Sequence, residues 1–196
     1  MSIDVNAIQE DLKSILNEHR YRHILGVQYT SICLAMRYGY DLKKAELAGL
    51  LHDCAKHMNG QDLIKICKEN HICITAAEYQ SPYLLHGKVG AHFANVKYGV
   101  EDKDILSAIT VHTTGKPNMT MLEKIVFTAD YIEPERHHAP NLDMLRKLSF
   151  ENIDEAIYEI LKQTLAYLHE SMSNIDVQTI TTYNYYKEIL RRNDNE

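Results

Sequence analysis

The 196-residue chain has little that could serve as a linker. Its four prolines and eight glycines are dispersed, no tract is of low complexity, and no internal repeat stands out. One domain over residues 1–196 is therefore expected, with a core over about 16–135 and C-terminal helices over about 141–192. At 45% hydrophobic residues the chain is long enough to bury a sizeable core. Positive charge is also scarce, 21 Lys and Arg against 27 Asp and Glu for a net charge of -6. That balance argues against broad adhesion to nucleic acid or to an anionic membrane, so an anionic substrate would need local positive charge. The four cysteines, Cys33, Cys54, Cys67 and Cys73, make no C-x-x-C pair, and MSIDVNAIQEDL has no basic region followed by an apolar stretch. The expectation is reduced thiols in a cytoplasm. No apolar run approaches the roughly 20 residues that span a bilayer. Neither a G-x-S-x-G nucleophile elbow nor a G-x-x-x-x-G-K-[ST] phosphate loop occurs, which removes two common designs for hydrolysis and nucleotide binding.

What is present reads almost entirely as helix. Ile8, Leu12, Ile15 and Leu16 form a short amphipathic opening, and Ile24, Val27, Ile32, Leu34 and Ala35 continue on a second helix that Gly39 can end. Asp41 has the character of an N-cap for LKKAELAGLLHD, which carries His52 and Asp53 in its final turn. Further helices are predicted at 61–70, 82–97, 102–112, 120–132, 141–148, 151–173 and 177–192. Sustained alternation is missing, so Asn59-Gly60 has no flanking strands to join as a hairpin and no Asp-Gly pair occurs, although HICITA at 71–76 has a strand-like composition. The fold class is all-α, a single helical bundle.

Six residues carry the chemistry: His23, His52, Asp53, His86, His112 and Asp130. Imidazole nitrogen and ionised carboxylate oxygen are donors for divalent cations, and a contiguous His-Asp pair can serve two ions through a bridging carboxylate. His23 shares a stripe with Val27 and should point inward. His52 and Asp53, about 100° apart around a helix axis, can approach one site from two angles. Asp130 follows the apolar run Ile125, Val126, Phe127 and Ala129, where an unpaired carboxylate would be costly. His112 ends ILSAITVH ahead of Thr113-Thr114-Gly115, a helix stop expected to bring the ring to a cavity rim. Singly, each histidine is more simply a hydrogen-bonded core residue, and Asp130 an arginine partner or cap. The ordered set points instead to a metal-dependent phosphohydrolase. His71 and His169 have no supporting pattern, and His92 suits a core or supporting role.

The segments HRYRHILGVQYTSICLA, AGLLHDCAK, the first histidine of LLHGKVGAHFA, AITVHTTG and KIVFTADYIEPER together resemble the HD-domain superfamily. Within it they are similar to the YqeK-like symmetrical bis(5'-nucleosyl)-tetraphosphatases, over about residues 16–190. The resemblance implies an all-helical HD fold, a centre holding iron or a related metal, and hydrolysis of diadenosine tetraphosphate to two ADP. It also implies that His23, His52, Asp53 and Asp130 hold one ion and that His86 and His112 hold a second, with Asp53 bridging. Iron is favoured by the resemblance, while mixed His and carboxylate ligation equally admits manganese, cobalt or zinc. The reaction expected is attack of metal-activated hydroxide on an internal phosphorus, with ADP leaving.

Around this centre, Lys56 lies four residues after His52 and would share its side if the helix continued, either as a phosphate contact or as a solvated helix-end cation. Arg20, Lys88 and Arg136 are candidates for anion binding. Pro134 favours a break after the Asp130 helix, from which Arg136 could turn back over a polyphosphate or pair with Glu133 or Glu135. Thr113 and Thr114 offer hydroxyls to the substrate or simply form a loop. Tyr21, Tyr79, Tyr83 and Tyr131 could stack on a base, and Tyr183, Tyr185 and Tyr186 could face a second copy in a homodimer or the domain core. Other readings keep the centre with a different nucleotide as substrate, or make the chain a non-catalytic nucleotide-binding regulator. The Gly-Tyr-Pro triplet associated with cyclic-dinucleotide phosphodiesterases of this superfamily is missing.

Overall fold

The computed structural model describes residues 3–172 and 174–193; the first two residues, Ser173 and the last three of the expected 1–196 domain lie outside the described residues. Those described form helices and no strand: α1 (Val5–Ile15), α2 (Glu18–Tyr38), α3 (Leu42–Leu51), α4 (Gly60–Glu69), α5 (Ala76–Gln80), a 3-10 turn (Pro82–Leu85), α6 (His86–Val96), α7 (Lys103–Val111), α8 (Met121–Ile132), α9 (Leu142–Glu151), α10 (Ile153–Glu170) and α11 (Val177–Asn193). The all-α expectation holds. Among the described residues no helix is long and apolar enough to cross a membrane.

Short polar side chains set the helix starts. Asn17 opens α2 by accepting the Arg20 amide at 2.8 Å, and Asp41 opens α3 by accepting those of Lys43 and Lys44 at 2.9 and 3.1 Å. Gly39 closes α2 in the left-handed region, φ 64°, a conformation with little steric cost only for glycine. The inward stripe of α2, with Ile24, Val27, Leu34 and Ala35, packs on an α3 whose second half, Leu47 to Leu51, is buried throughout. Ile109, Leu122, Ile125, Leu145 and Ile160 complete the main core, and a smaller one around Leu63, Cys67, Leu85 and Val89 lies under α4. Each such side chain contributes roughly 1.5–3 kcal/mol on burial, which fixes the frame that holds the polar centre.

Several boundaries differ from the periodicity. After Leu51 the backbone tightens into successive three-residue turns, Cys54 N–H to Leu51 O at 3.2 Å, Lys56 N–H to Asp53 O at 2.9 Å and Met58 N–H to Ala55 O at 3.2 Å. The expected 82–97 helix divides at His86, because Pro82 starts a 3-10 turn that closes on Ser81. Helix α5 was not expected; Thr75 and Glu78 build a capping box there, so HICITA is the lead into a helix rather than a strand. The break near 150 falls at Asn152, whose amide ends α9 on Leu148 O and whose side chain starts α10 on the Glu155 amide. That helix stops at Glu170, short of the expected 173. Tyr186 is fully buried in the chain's own core, with Tyr183 and Tyr185 packed against it.

Candidate metal centre

Five segments deliver the six ligand candidates to one place: α2 carries His23, the turn after α3 His52 and Asp53, α6 His86, the end of α7 His112 and α8 Asp130. Two overlapping sets have ligand atoms within 4.8 Å of one another, His23 with His52 and Asp130, and His52 with Asp53 and His112. The four imidazoles and Asp53 are buried, whereas the Asp130 side chain keeps 24% exposure. Burial of His112 corrects the expectation of a ring at the rim; Thr113 and Thr114, one and two residues on, form the cavity wall.

The backbone determines how these rings present their nitrogens. In His52, His86 and His112 the Nδ1 atom faces a carbonyl three residues earlier, Gly49 at 2.7 Å, Tyr83 at 2.5 Å and Ile109 at 2.7 Å. A carbonyl only accepts, so each Nδ1 carries a proton and each ring aims its Nε2 inward. The Nε2 atoms of His86 and His112 stand 3.0 Å apart, and those of His23 and His52 3.3 Å. Facing lone pairs at that range repel unless a proton or cation lies between them. Asp53 Oδ1, though buried, has no hydrogen bond among the described residues. Opposed imidazole nitrogens beside an unsatisfied carboxylate oxygen are a donor set suited to a divalent cation.

Asp53 sits between two groups. Its Oδ2 lies 3.6 Å from His52 Nε2 and 3.8 Å from His23 Nε2, while Oδ1 lies 3.2 Å from His86 Nε2 and 3.4 Å from His112 Nε2. Asp130 Oδ1 approaches His23 at 3.1 Å and His52 at 3.8 Å. Burial drives His52 down to about 3, against the pull of Asp53 and Asp130, and burial also lowers His86. Both are uncharged donors at neutral pH. Burial likewise opposes charge on His23, but hydrogen bonds to Asp130 and Glu133 outweigh it and raise its pKa to about 9. Burial opposes the Asp53 charge too, yet His52, contacts with His112 and His86, and the Lys56 ammonium hold that carboxyl well below the ordinary range. Asp130 is depressed in the same sense by His23, His52 and Arg136.

The predicted cations surround this cluster. Arg20 Nη1 reaches Asp53 Oδ2 at 2.6 Å. Lys56 Nζ lies 3.0 Å from His86 Nε2 and 3.8 Å from Asp53 Oδ1, brought there by the tight turns rather than by a continuing helix. Arg136 turns back as expected, but onto Asp130, Nη2 to Oδ1 at 3.0 Å and to the carbonyl at 2.7 Å, not onto Glu133 or Glu135. Thr113 Oγ1 touches Nε2 of both His86 and His112, at 3.2 and 3.1 Å. Lys88 is held by Glu78 at 2.8 Å and the Cys73 carbonyl at 2.9 Å, and lines one cavity with Thr113 and Thr114.

Two residues of the site were not singled out from the sequence. Glu133, 1% exposed, accepts from His23 Nδ1 at 3.0 Å and so orients that ring; its only sequence signal was its place in YIEPER. It fits because Gly26 has no side chain: a Cβ there would lie 2.4 Å from Glu133 Oε2. Arg146 pins the turn that carries Glu133 and Arg136, through the carbonyls of Ile132, Glu133 and Arg136 at 3.0, 3.1 and 3.0 Å. Nothing in its sequence surroundings marks it.

Known proteins share this chain's sequence and fold. The HD-domain family profile matches residues 20–135. The chain is 40% identical over 174 residues to the symmetrical bis(5'-nucleosyl)-tetraphosphatase of Bacillus subtilis strain 168, covering 89% of this chain and 92% of that protein. It is 39% identical over 176 residues to the protein of the same name from Staphylococcus aureus, covering 89% and 90%. A crystal structure from Clostridium acetobutylicum, described as a predicted HD superfamily hydrolase involved in NAD metabolism, superposes with a TM-score of 0.91 at 38% identity, over 94% of this chain and 97% of that one. With its centre built from an HD pair and four further ligand candidates on a helical frame, the chain belongs to the HD-domain family, alongside the symmetrical bis(5'-nucleosyl)-tetraphosphatases.

Proposed function

We propose that this chain, as one HD domain, is a metal-dependent phosphohydrolase that cleaves diadenosine tetraphosphate symmetrically into two ADP. The observation that carries the reading is the division of Asp53, one oxygen toward His23 and His52 and the other toward His86 and His112. That arrangement supports a two-cation reading in which His23, His52 and Asp130 would hold one ion and His86 and His112 the other, with Asp53 available to both. Iron is the first candidate, ahead of manganese, cobalt or zinc. Such ions, when bound, acidify water and neutralise charge on phosphoryl oxygens. The substrate class comes from the relatives named above.

The chain's own residues do the rest. Arg20, Lys56 and Arg136 supply positive charge at the rim of a chain whose net charge is -6, so a polyanion is drawn to this one face. Arg136 presents a planar donor pair to phosphate oxygens, and Thr113 and Thr114 add hydroxyls on the other side. Lys88 is assigned to the same cavity wall. In the reaction a water oxygen bonds to an internal phosphorus, the bridging P–O bond breaks, and its electron pair leaves with ADP. That leaving oxygen is already acidic, so alignment and charge stabilisation are needed more than a strong general acid. The reading sets the enzyme on small nucleotides rather than nucleic acid, and in the cytoplasm, a placement consistent with four unpaired thiols.

The test is product analysis. Chelator-treated protein is supplied with each metal in turn and incubated with diadenosine tetraphosphate. ADP is expected as the only nucleotide product, with turnover lost on chelation and reduced at least 100-fold in His52→Ala. AMP plus ATP as products, or turnover indifferent to chelation, would sink the reading.

A further inference from the structure

Two cavities connect to the centre through single side chains, one through Thr113, which touches His86 and His112, and the other through Arg136, which touches Asp130. The first, about 550 Å³, is walled by Thr113 and Thr114 beside His86 and His112. The second, about 650 Å³, lies beyond Asp130, between α8, the far half of α10 and the loop that follows Arg136. We propose that this second cavity seats one nucleoside of the substrate while the first seats the other, so that the tetraphosphate is gripped at both ends. The proposal rests on the diadenosine tetraphosphate reading above and extends it to where the halves lie.

The second cavity has the chemistry of a base site. Tyr131, Tyr167 and His138 offer ring faces, and Gln163 and Glu170 offer groups that can hydrogen-bond a base edge or a ribose hydroxyl. Tyr131 is set by its hydroxyl donating to Gln163 Oε1 at 3.3 Å. Its volume is in the usual range for small-ligand pockets. Arg136 also links it to the centre, since the same side chain contacts Asp130 and lines a small intervening cavity of about 160 Å³ with Arg20 and His23. That passage is suited to phosphates: its two acids are already engaged, Glu133 by His23 and Glu135 by Arg22, and the buried Arg136 Nε has no hydrogen-bond partner among the described residues. An enzyme that held only one nucleoside would have to measure the cleavage point from a single end. One that holds both fixes the middle of the phosphate chain between the two cavities, and symmetric products follow.

Ala166, exposed on α10, lines the second cavity away from the core, so Ala166→Trp fills it without repacking the interior. Calorimetric titration of the metal-loaded protein with ADP is expected to give two sites in the unaltered chain and one in the variant. KM for diadenosine tetraphosphate should rise at least tenfold, the scale of a lost base stack, while KM for adenosine 5'-tetraphosphate, which needs only the first cavity, should rise less than twofold. Dinucleotide turnover with a single ADP site in the unaltered protein, or a variant that retains both sites and its KM, overturns the second nucleoside site alone. No turnover of the dinucleotide by the metal-loaded unaltered protein overturns it together with the substrate reading.

Discussion

Glu133 shows how a residue that touches no substrate can set the properties of this centre. His23 would bind a cation through Nε2, and the direction of that lone pair is set by what holds Nδ1. Glu133 takes that role from inside the fold, raising ring basicity as well as fixing its plane. The other three rings rest on backbone carbonyls, which are invariant to mutation, so His23 is the imidazole whose support can be removed with one side chain. Glu133→Gln keeps an acceptor and the shape but removes the charge, and Glu133→Ala removes both. Metal affinity, measured by competition with a chromogenic chelator, is expected to fall about 10–100-fold in the alanine variant and by less in the glutamine variant. Equal affinity in all three proteins would show that His23 needs no such support.

The helices bring the rings together, and α6 approaches the end of α7 closely at Gly87. A Cβ on Gly87 would stand 2.7 Å from the Thr110 carbonyl oxygen and 3.2 Å from that of Ile109, which already accepts from His112. Gly87→Ala therefore pushes α6 away and separates His86 from His112. Thermal unfolding should show a loss of about 1–3 kcal/mol, typical of overpacking, and elemental analysis should show less metal per chain than in the unaltered protein; full metal content at unchanged stability would refute the close-approach argument. The same scale explains what was legible in the sequence. Asp41 and Gly39 announce an N-cap and a left-handed stop by chemistry that is local, and the histidines and aspartates announce themselves by type and order. The turns over 52–57, the split at His86 and the placing of Lys56 depend on how α3 and α6 meet other elements, which no local pattern encodes. Helix α5 had a readable signal, Thr75 with Glu78 three residues on, masked by the β-branched residues of HICITA before it. Arg146 was illegible for a different reason: its partners are three carbonyls fixed by the path of a turn, not by residue type.

At the scale of the whole molecule the centre ties together helices that are far apart in sequence, from His23 on α2 to Asp130 on α8. Without a cation, the facing Nε2 atoms of His86 and His112 and a buried, unsatisfied Asp53 oxygen sit inside a closely packed core, where an unpaired polar group is costly. The unfolded chain cannot assemble the set, so a bound ion stabilises only the folded state. At a free metal concentration 100 times Kd, one site adds about 2.7 kcal/mol, which for a chain of this size corresponds to a rise in Tm of about 5–10 °C. Melting the protein with a chelator and with added manganese should show that difference, and His52→Ala, which breaks both overlapping ligand sets, should abolish it while both of its melts stay near the chelated value. The variant matters because a cation bound at scattered surface carboxylates would also raise Tm. If His52→Ala keeps the metal-dependent shift, the stabilisation comes from the surface, and the six residues do not act together as a metal site.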